Sequence, residues 1–516
     1  MTRSYEETIS RLEEKGLLNF PKYTSRGLEK ESLRVNKEGT ISTINHPAKL
    51  GSALTNQYIT TDFSEALLEL ITPEKPSIEE ALKFLDEVCS FVDKHSDDVI
   101  WPSSIPCVIE DESSIRLADY GASNSGKLKT LYRSGLSERY GSMMQCVSGI
   151  HYNFSFNENF FDILRGEENL QDFKNDTYLS LIRNFRRNAW IVLYLFGSSP
   201  VVPKTFIAGR KNFLNELNKE DLFLEYATCL RMSELGYMSE AQDKLYITYN
   251  SIEEYLADLK KALTTIHPRY EQVGMRRENK LIQINTSIIQ IENEYYSSIR
   301  PKRVTPSGTR PINILREKGI EYVEIRALDN NSFLPSGIDE NTSYFLEALL
   351  ITCLIEDNTP STKVEIKELL DNWQNVVRNG RNPNLKLKKN GKEISLKNAG
   401  FELIEKIREV FEKLPKDLKE YKSKVFSSLE VQLEKLKDPF LTPSGKVIEE
   451  LSKGPTTWQE LNYNLAKKHA TYFEEKNIDF SHLDDEARSS IERYKSLEES
   501  DDASFENFLE EYLKDI

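Results

Sequence analysis

The strongest constraint on this chain is a set of acids placed inside short apolar alternations. The segments GLEKESLRV, ALLELITP, SGIHYNFSF and IEYVEIRAL all read as strands. Successive side chains of a strand point to opposite faces, so Glu29 and Glu31 share a face. So do His151 and Asn153, and likewise Glu324 and Arg326. Residues 66–72 could form a helix with Glu65 and Glu69 on one side. A strand is preferred because Pro73 ends the run, and it embeds Glu69 between Leu67 and Ile71. Neighbouring carboxylates repel unless a cation or solvent lies between them, and an acid among apolar neighbours needs a metal or a base. Taken together, Glu29, Glu31, Glu69, Glu324 and His151 form an oxygen-rich set that suits magnesium, with manganese as an alternative.

The rest of the chain has uneven texture. Residues 5–18 predict a short helix, and Glu38-Gly39 a turn. Residues 76–98 predict an amphipathic helix, with Leu82, Leu85, Val88 and Val92 at helical spacing behind a Ser77-x-x-Glu80 capping box. A further helical region covers 174–197, and strand signals return at 281–292 and 320–328. Beyond about residue 343 the pattern is helical, with turn residues and basic charge at 379–397. The expected class is α+β: a sheet-bearing part over 1–342 and a mainly helical part over 343–516, with no clear linker between them.

Charge and cysteine usage exclude whole classes. Sixty-eight Lys+Arg against 83 Asp+Glu give a net charge of −15. That balance opposes nucleic-acid or membrane-surface binding, which needs a basic footprint, but leaves phosphate-bearing small molecules open. Residues 471–516 hold 15 acids and 5 bases, an acidic tail expected to be solvated and to pack at the edge. No apolar run approaches the roughly 20 residues of a membrane span, and the charged N-terminus has no signal-peptide core. Five scattered cysteines without a CxxC pair fit a reduced, cytoplasmic protein with no zinc signature. Cys146 is read as a packing thiol.

Several motifs point to anion chemistry. Gly121-Ala-Ser-Asn-Ser-Gly126-Lys127 has the glycines and lysine of a phosphate loop. Leu128 stands where such a loop needs Ser or Thr, and no buried strand precedes it, so a surface loop is the better reading. Arg300, Lys302 and Arg303 form a tight basic knot, either a polyphosphate clamp or a solvated turn. Arg133 and Arg231 carry forks that match carboxylate or phosphate. Tyr132, Tyr237 and Tyr296 offer hydroxyls, although none of the chain's 24 tyrosines is singled out by position alone.

These stretches together resemble bacterial glutamate–cysteine ligases of the gamma-proteobacterial type. The matching segments are RGLEKESLRV, HPAKLGSALTNQYITTDFSEALLELITP, YGASNSGKLKTLYRSGL, RYGSMMQCVSGIHYNFS, LRMSELGY, IQIENEYYSSIRPKR and GIEYVEIRALD. The resemblance implies a curved antiparallel sheet funnel similar to the catalytic fold of glutamine synthetase, flanked by helices. It implies ATP-dependent joining of the L-glutamate γ-carboxyl to the L-cysteine amine through a γ-glutamyl phosphate, the first step of glutathione synthesis. It further implies that Glu29, Glu31, Glu69, His151 and Glu324 hold magnesium, and that Arg326 and Arg133 stabilise the phosphoryl group. Asn153 and Lys302 would then face the nucleotide. Arg231 would take the glutamate α-carboxylate, and Tyr237 and Tyr296 the cysteine carboxylate. Phe63, Tyr132, Leu136 and Gln145 would line a pocket for the cysteine side chain, with Asp62 accepting the ammonium proton. A monomer acting only on small molecules is expected. Two other readings compete: a ligase of the same scaffold with a different amine, and a non-catalytic glutamate or nucleotide sensor.

Overall fold

A computed structural model describes residues 3–236, 241–242, 245–306 and 309–515. Its centre is a seven-stranded sheet in which every pairing is antiparallel. The strands are β1 (Thr24–Val35), β2 (Ile59–Thr61), β3 (Leu67–Ile71), β4 (Val99–Ile100), β5 (Ile150–Phe156), β6 (Ile299–Lys302) and β7 (Tyr322–Leu328). The order is β6-β7-β5-β1-β3-β2, with β4 paired to the end of β1. A register shift between Ile325 and Leu328 interrupts the β5–β7 ladder, as bulges do where a sheet bends beside a site.

Alternation divides this sheet cleanly. One face sends Leu28, Leu68, Leu70, Ile150, Tyr152, Phe154, Val323 and Ile325 into the main core. The helices Leu170–Phe196 and Glu340–Ile355 cover that face, and the second is buried along nearly its whole length. The other face carries the acids. The main core runs from Ile9 to Leu483, so the C-terminal helices share it with the sheet.

Buried ion pairs tie the layers together. Arg26, on the core face of β1, forms two bonds to Glu347 of the central helix, Nε–Oε1 at 2.6 Å and Nη2–Oε2 at 2.9 Å. The Tyr152 hydroxyl donates to the same carboxylate at 2.8 Å.

Most sequence expectations hold: the helices Tyr5–Glu14 and Ile78–His95, the latter N-capped by Ser77, and the helical end of the chain. The turn residues at 379–397 enclose a hairpin, Lys386–Lys389 with Lys392–Ser395. The strand expected over 281–292 is not formed. Lys280–Leu281 pairs as a short strand, and beyond it Ser287 makes only an isolated bridge to Ile266. Side-chain amides replace the ladder beyond it: Ile284 N donates to Gln290 Oε1, and Asn285 Nδ2 to the Gln290 carbonyl. Gln283 meanwhile accepts from Arg139. Such local bonding competes with strand pairing. None of the described helices is long and apolar enough to cross a membrane.

Candidate active site

Strand register assembles the acids. Glu31 lies opposite Glu69, Glu29 opposite His151, and Glu324 opposite Asn153. They form the floor of a cavity of about 430 Å³. His151 stands among them, with Nδ1 2.9 Å from Glu29 Oε2, Nε2 3.5 Å from Glu31 Oε1, and Nδ1 3.9 Å from Glu324 Oε1. Ligand atoms of Glu29, Glu69 and His151 lie within 4.8 Å of one another. Asn153 Nδ2 donates to Glu29 Oε1 at 2.8 Å, which holds that carboxylate from below, while Gly149 N–H donates to Glu31 Oε2.

The electrostatics fit a cation site. Burial, then the charges of Glu29, Asp62 and Glu31, push Glu69 well above the usual carboxylate range. Burial raises Glu31 as well. Burial opposes ionisation of Glu324 too, but Lys302, Arg326 and His151 overcome it and hold that carboxyl well below its usual range. The hydrogen bond from His151 lowers Glu29 against the same opposition. A divalent ion would relieve the repulsion centred on Glu69, and four carboxylates with one imidazole suit magnesium or manganese.

Cations and a helix make the walls. Arg326 Nη1 is 3.2 Å from Glu324 Oε2, and Lys302 Nζ is 3.5 Å from Glu324 Oε1. The helix Asn124–Tyr140 presents Ser125, Leu128, Lys129, Tyr132, Arg133 and Leu136 to the cavity, one stripe at helical spacing. Gln145 and Tyr296 line the far side, 3.4 Å apart through Nε2 and the hydroxyl. Asp62 lines the cavity beside the end of β2. Arg133 also lines it, but its nitrogens donate to the carbonyls of Thr61, Asp62 and Lys129. The guanidinium therefore pins the helix to the β2–β3 link.

Other expected residues sit elsewhere. Phe63 is fully buried in an apolar cluster with Leu136, Cys107 and Cys146, behind the wall. Arg231 is only 2% exposed and lies outside the cavity lining. Its Nε is 2.7 Å from Asp329 Oδ1 and its Nη2 donates to Leu328 O. A Cβ on Gly149 would stand 2.9 Å from that guanidinium, so glycine is what lets the arginine pack beneath the floor. Tyr237 lies outside the described residues.

The basic knot is divided among three tasks. Lys302 reaches the cavity, Arg300 donates to the carbonyls of Asn293 and Tyr295, and Arg303 to that of Gly319. The Walker-like loop is not a phosphate cradle. Ser123 caps the following helix, and Asp501 of the acidic tail accepts from Asn124 N–H at the helix terminus a phosphate would need. Cys146 is fully buried, and burial pushes its thiol far up, which makes it an inert packing group.

Lys129 and Tyr512 are among the lining residues that escaped the sequence reading. Lys129 carried a signal, since it precedes Tyr132 and Arg133 by three and four positions on one helix face. Tyr512, from the last helix, Phe505–Lys514, carried none, because nothing local links the tail to the sheet.

Known proteins resemble this chain in sequence and fold. A family profile described as glutamate–cysteine ligase matches residues 9–376. The chain is 43% identical to a glutamate–cysteine ligase of Pseudomonas putida over 508 residues, 96% of each chain. It is 40% identical to one of Janthinobacterium over 94% of this chain and 93% of the relative. A crystal structure of glutamate–cysteine ligase from Francisella tularensis in complex with AMP superposes with a TM-score of 0.89 at 38% identity, covering 95% of this chain and 98% of that one. A bifunctional glutathione synthetase from Pasteurella multocida shares the fold at a TM-score of 0.69 and 24% identity, over 92% of this chain and 57% of that one. With the matched profile covering most of its length and the relatives aligning along nearly all of it, the chain belongs to the glutamate–cysteine ligase family.

Proposed function

We propose that the chain joins the γ-carboxyl of L-glutamate to the amino group of L-cysteine, using ATP and releasing ADP and phosphate. The observation that carries this reading is the acid floor flanked by Arg326 and Lys302 inside one cavity, in a chain of this family. A carboxylate is a poor electrophile, so the γ-phosphoryl group of ATP is first transferred to it. The cysteine amine then attacks the carbonyl carbon and phosphate leaves. Phosphoryl transfer depends on positioning and on charge neutralisation.

In this reading Glu29, Glu31, Glu69, His151 and Glu324 hold magnesium, with manganese also admissible. The metal supplies neutralisation of phosphate charge and orientation of the reacting oxygens. Arg326 lies against the transferring phosphoryl group, with Arg133 fixing the wall beside it. Lys302 and Asn153 lie toward the nucleotide, for which the AMP held by the Francisella relative is a precedent. Tyr132, Leu136, Gln145, Tyr296 and Tyr237 surround cysteine, with Phe63 backing Leu136. Asp62 accepts the ammonium proton. In this reading the chain acts as a monomer. The five cysteines are unpaired, as expected in the cytoplasm.

Phosphate release in the presence of ATP, magnesium and glutamate tests the reaction. Cysteine is expected to be the preferred amine. Faster turnover with an amine lacking a thiol would overturn the cysteine assignment.

Metal binding has a pH signature. The folded-state pKa of Glu69 is raised, so its stabilising contribution is complete below the unfolded carboxyl value and is lost as pH rises through the folded one. As pH rises above the ordinary carboxylate range, the melting temperature of metal-free protein is expected to fall. The slope from this one group is at most about 1.4 kcal/mol per pH unit. Magnesium is expected to raise the melting temperature most at the upper end of that rise, and Glu69→Gln to flatten the metal-free slope. Calorimetry showing the same slope in Glu69→Gln would place the titration elsewhere.

A further inference from the structure

Among the four lysine and arginine side chains lining the cavity, Lys129 has no assigned task. Lys302 and Arg326 are paired with Glu324, and Arg133 is bonded to backbone carbonyls. The Lys129 ammonium makes no ion pair and no hydrogen bond among the described residues. Its side chain is open to the cavity, and its Nζ lies 5.1 Å from the centroid of the Tyr120 ring, over which Arg133 also stands at 4.6 Å. Asp62 lines the same cavity, and it is held beside this helix because Arg133 donates to its carbonyl. Among the acids that favour the Lys129 charge, Glu69 stands ahead of Asp62, and no salt bridge joins the lysine to either among the described residues.

An acid and a cation that line one cavity without bridging are complementary to a zwitterion. An α-amino acid carries its ammonium and carboxylate on one carbon, so it can face both groups at once. The arginine expected to read a substrate carboxylate, Arg231, is turned to Asp329 beneath the floor. Lys129 is placed where a carboxylate entering the cavity would meet a cation not already committed to another group.

We infer that Lys129 is a specificity-determining residue that binds the α-carboxylate of an amino-acid substrate whose ammonium faces Asp62. The inference rests on the ligase reading above, in which both glutamate and cysteine present that zwitterion, and it goes beyond it by naming the residue.

The test is the set of Michaelis constants of Lys129→Met and Lys129→Arg for glutamate, cysteine and ATP. A hydrogen bond to a charged group corresponds to a change of about tenfold or more. Lys129→Met is expected to raise KM for one amino acid by that factor and to leave the ATP constant within about twofold. Lys129→Arg is expected to recover most of the loss. Substrates lacking the α-carboxylate identify the source. If the carboxylate belongs to cysteine, cysteamine is as poor a substrate for Lys129→Met as for the wild type. If it belongs to glutamate, 4-aminobutyrate behaves in that way. Equal losses for intact and truncated substrates would mean a structural role and would overturn the inference. So would a rise confined to ATP, or unchanged constants. Because the side chain is exposed, Lys129→Met is expected to melt with the wild type. Wild-type turnover in the same assay separates failure of this inference from failure of the ligase reading.

Discussion

Replacing Arg326 with alanine is expected to lower kcat by about 1000-fold or more, the range seen when an arginine facing a transferring phosphoryl group is removed. The side chain leaves β7 on the face opposite the core and lines the cavity, so its loss opens no hole in the packing. Glu324 keeps Lys302 at 3.5 Å, so the buried acid is not left without a cation. The melting temperature is therefore expected to move little while turnover collapses. Arg326→Lys is expected to recover only part of the rate, because a point charge does not reproduce a planar fork. Single-turnover phosphate release is the measurement, and a fall of less than about tenfold would remove Arg326 from the phosphoryl group.

The largest effect on stability is expected at Arg26 and Glu347. Arg26 is 4% exposed and Glu347 fully buried, and they join β1 to the central helix by two short bonds. Glu347→Leu leaves a buried guanidinium without its counter-ion. Breaking such a pair from one side costs about 3–5 kcal/mol. Some of that is offset, since Arg26 keeps the Thr24 hydroxyl and the Lys75 carbonyl. Arg26→Met strands the carboxylate, with the Tyr152 hydroxyl as its remaining donor. The double variant Arg26→Met/Glu347→Leu is expected to regain most of either loss, because removing both charges removes the desolvation penalty with them. Urea unfolding of the four proteins closes the cycle. A double variant no more stable than the weaker single would show that the pair contributes net stability.

Much of the site was legible because a strand's period is short. Glu29 and Glu31, His151 and Asn153, and Glu324 and Arg326 each fell on one face by alternation alone, and the sheet brings those faces together. The reading failed at 281–292, where apolar alternation was present but Gln283, Asn285 and Gln290 supplied side-chain partners that displaced the ladder. It also treated Arg300, Lys302 and Arg303 as one cluster. Strand pairing and the loop beyond it sent the three to different partners.

The acidic tail shows the boundary most clearly. Its composition gave a helical, solvated segment, and much of it is exposed. Tertiary structure gave it two tasks that composition does not carry. Asp501 takes the N-terminus of the helix that forms one cavity wall, and Tyr512 joins the lining. The sequence alone determined which residues can share a face, since that follows from local backbone geometry, and its motifs carried the family resemblance. Only the tertiary structure decided which faces meet. It set Glu31 against Glu69, Arg26 against Glu347 and Arg231 against Asp329. Pairings between residues tens to hundreds of positions apart depend on strand order and helix docking, which no local pattern encodes.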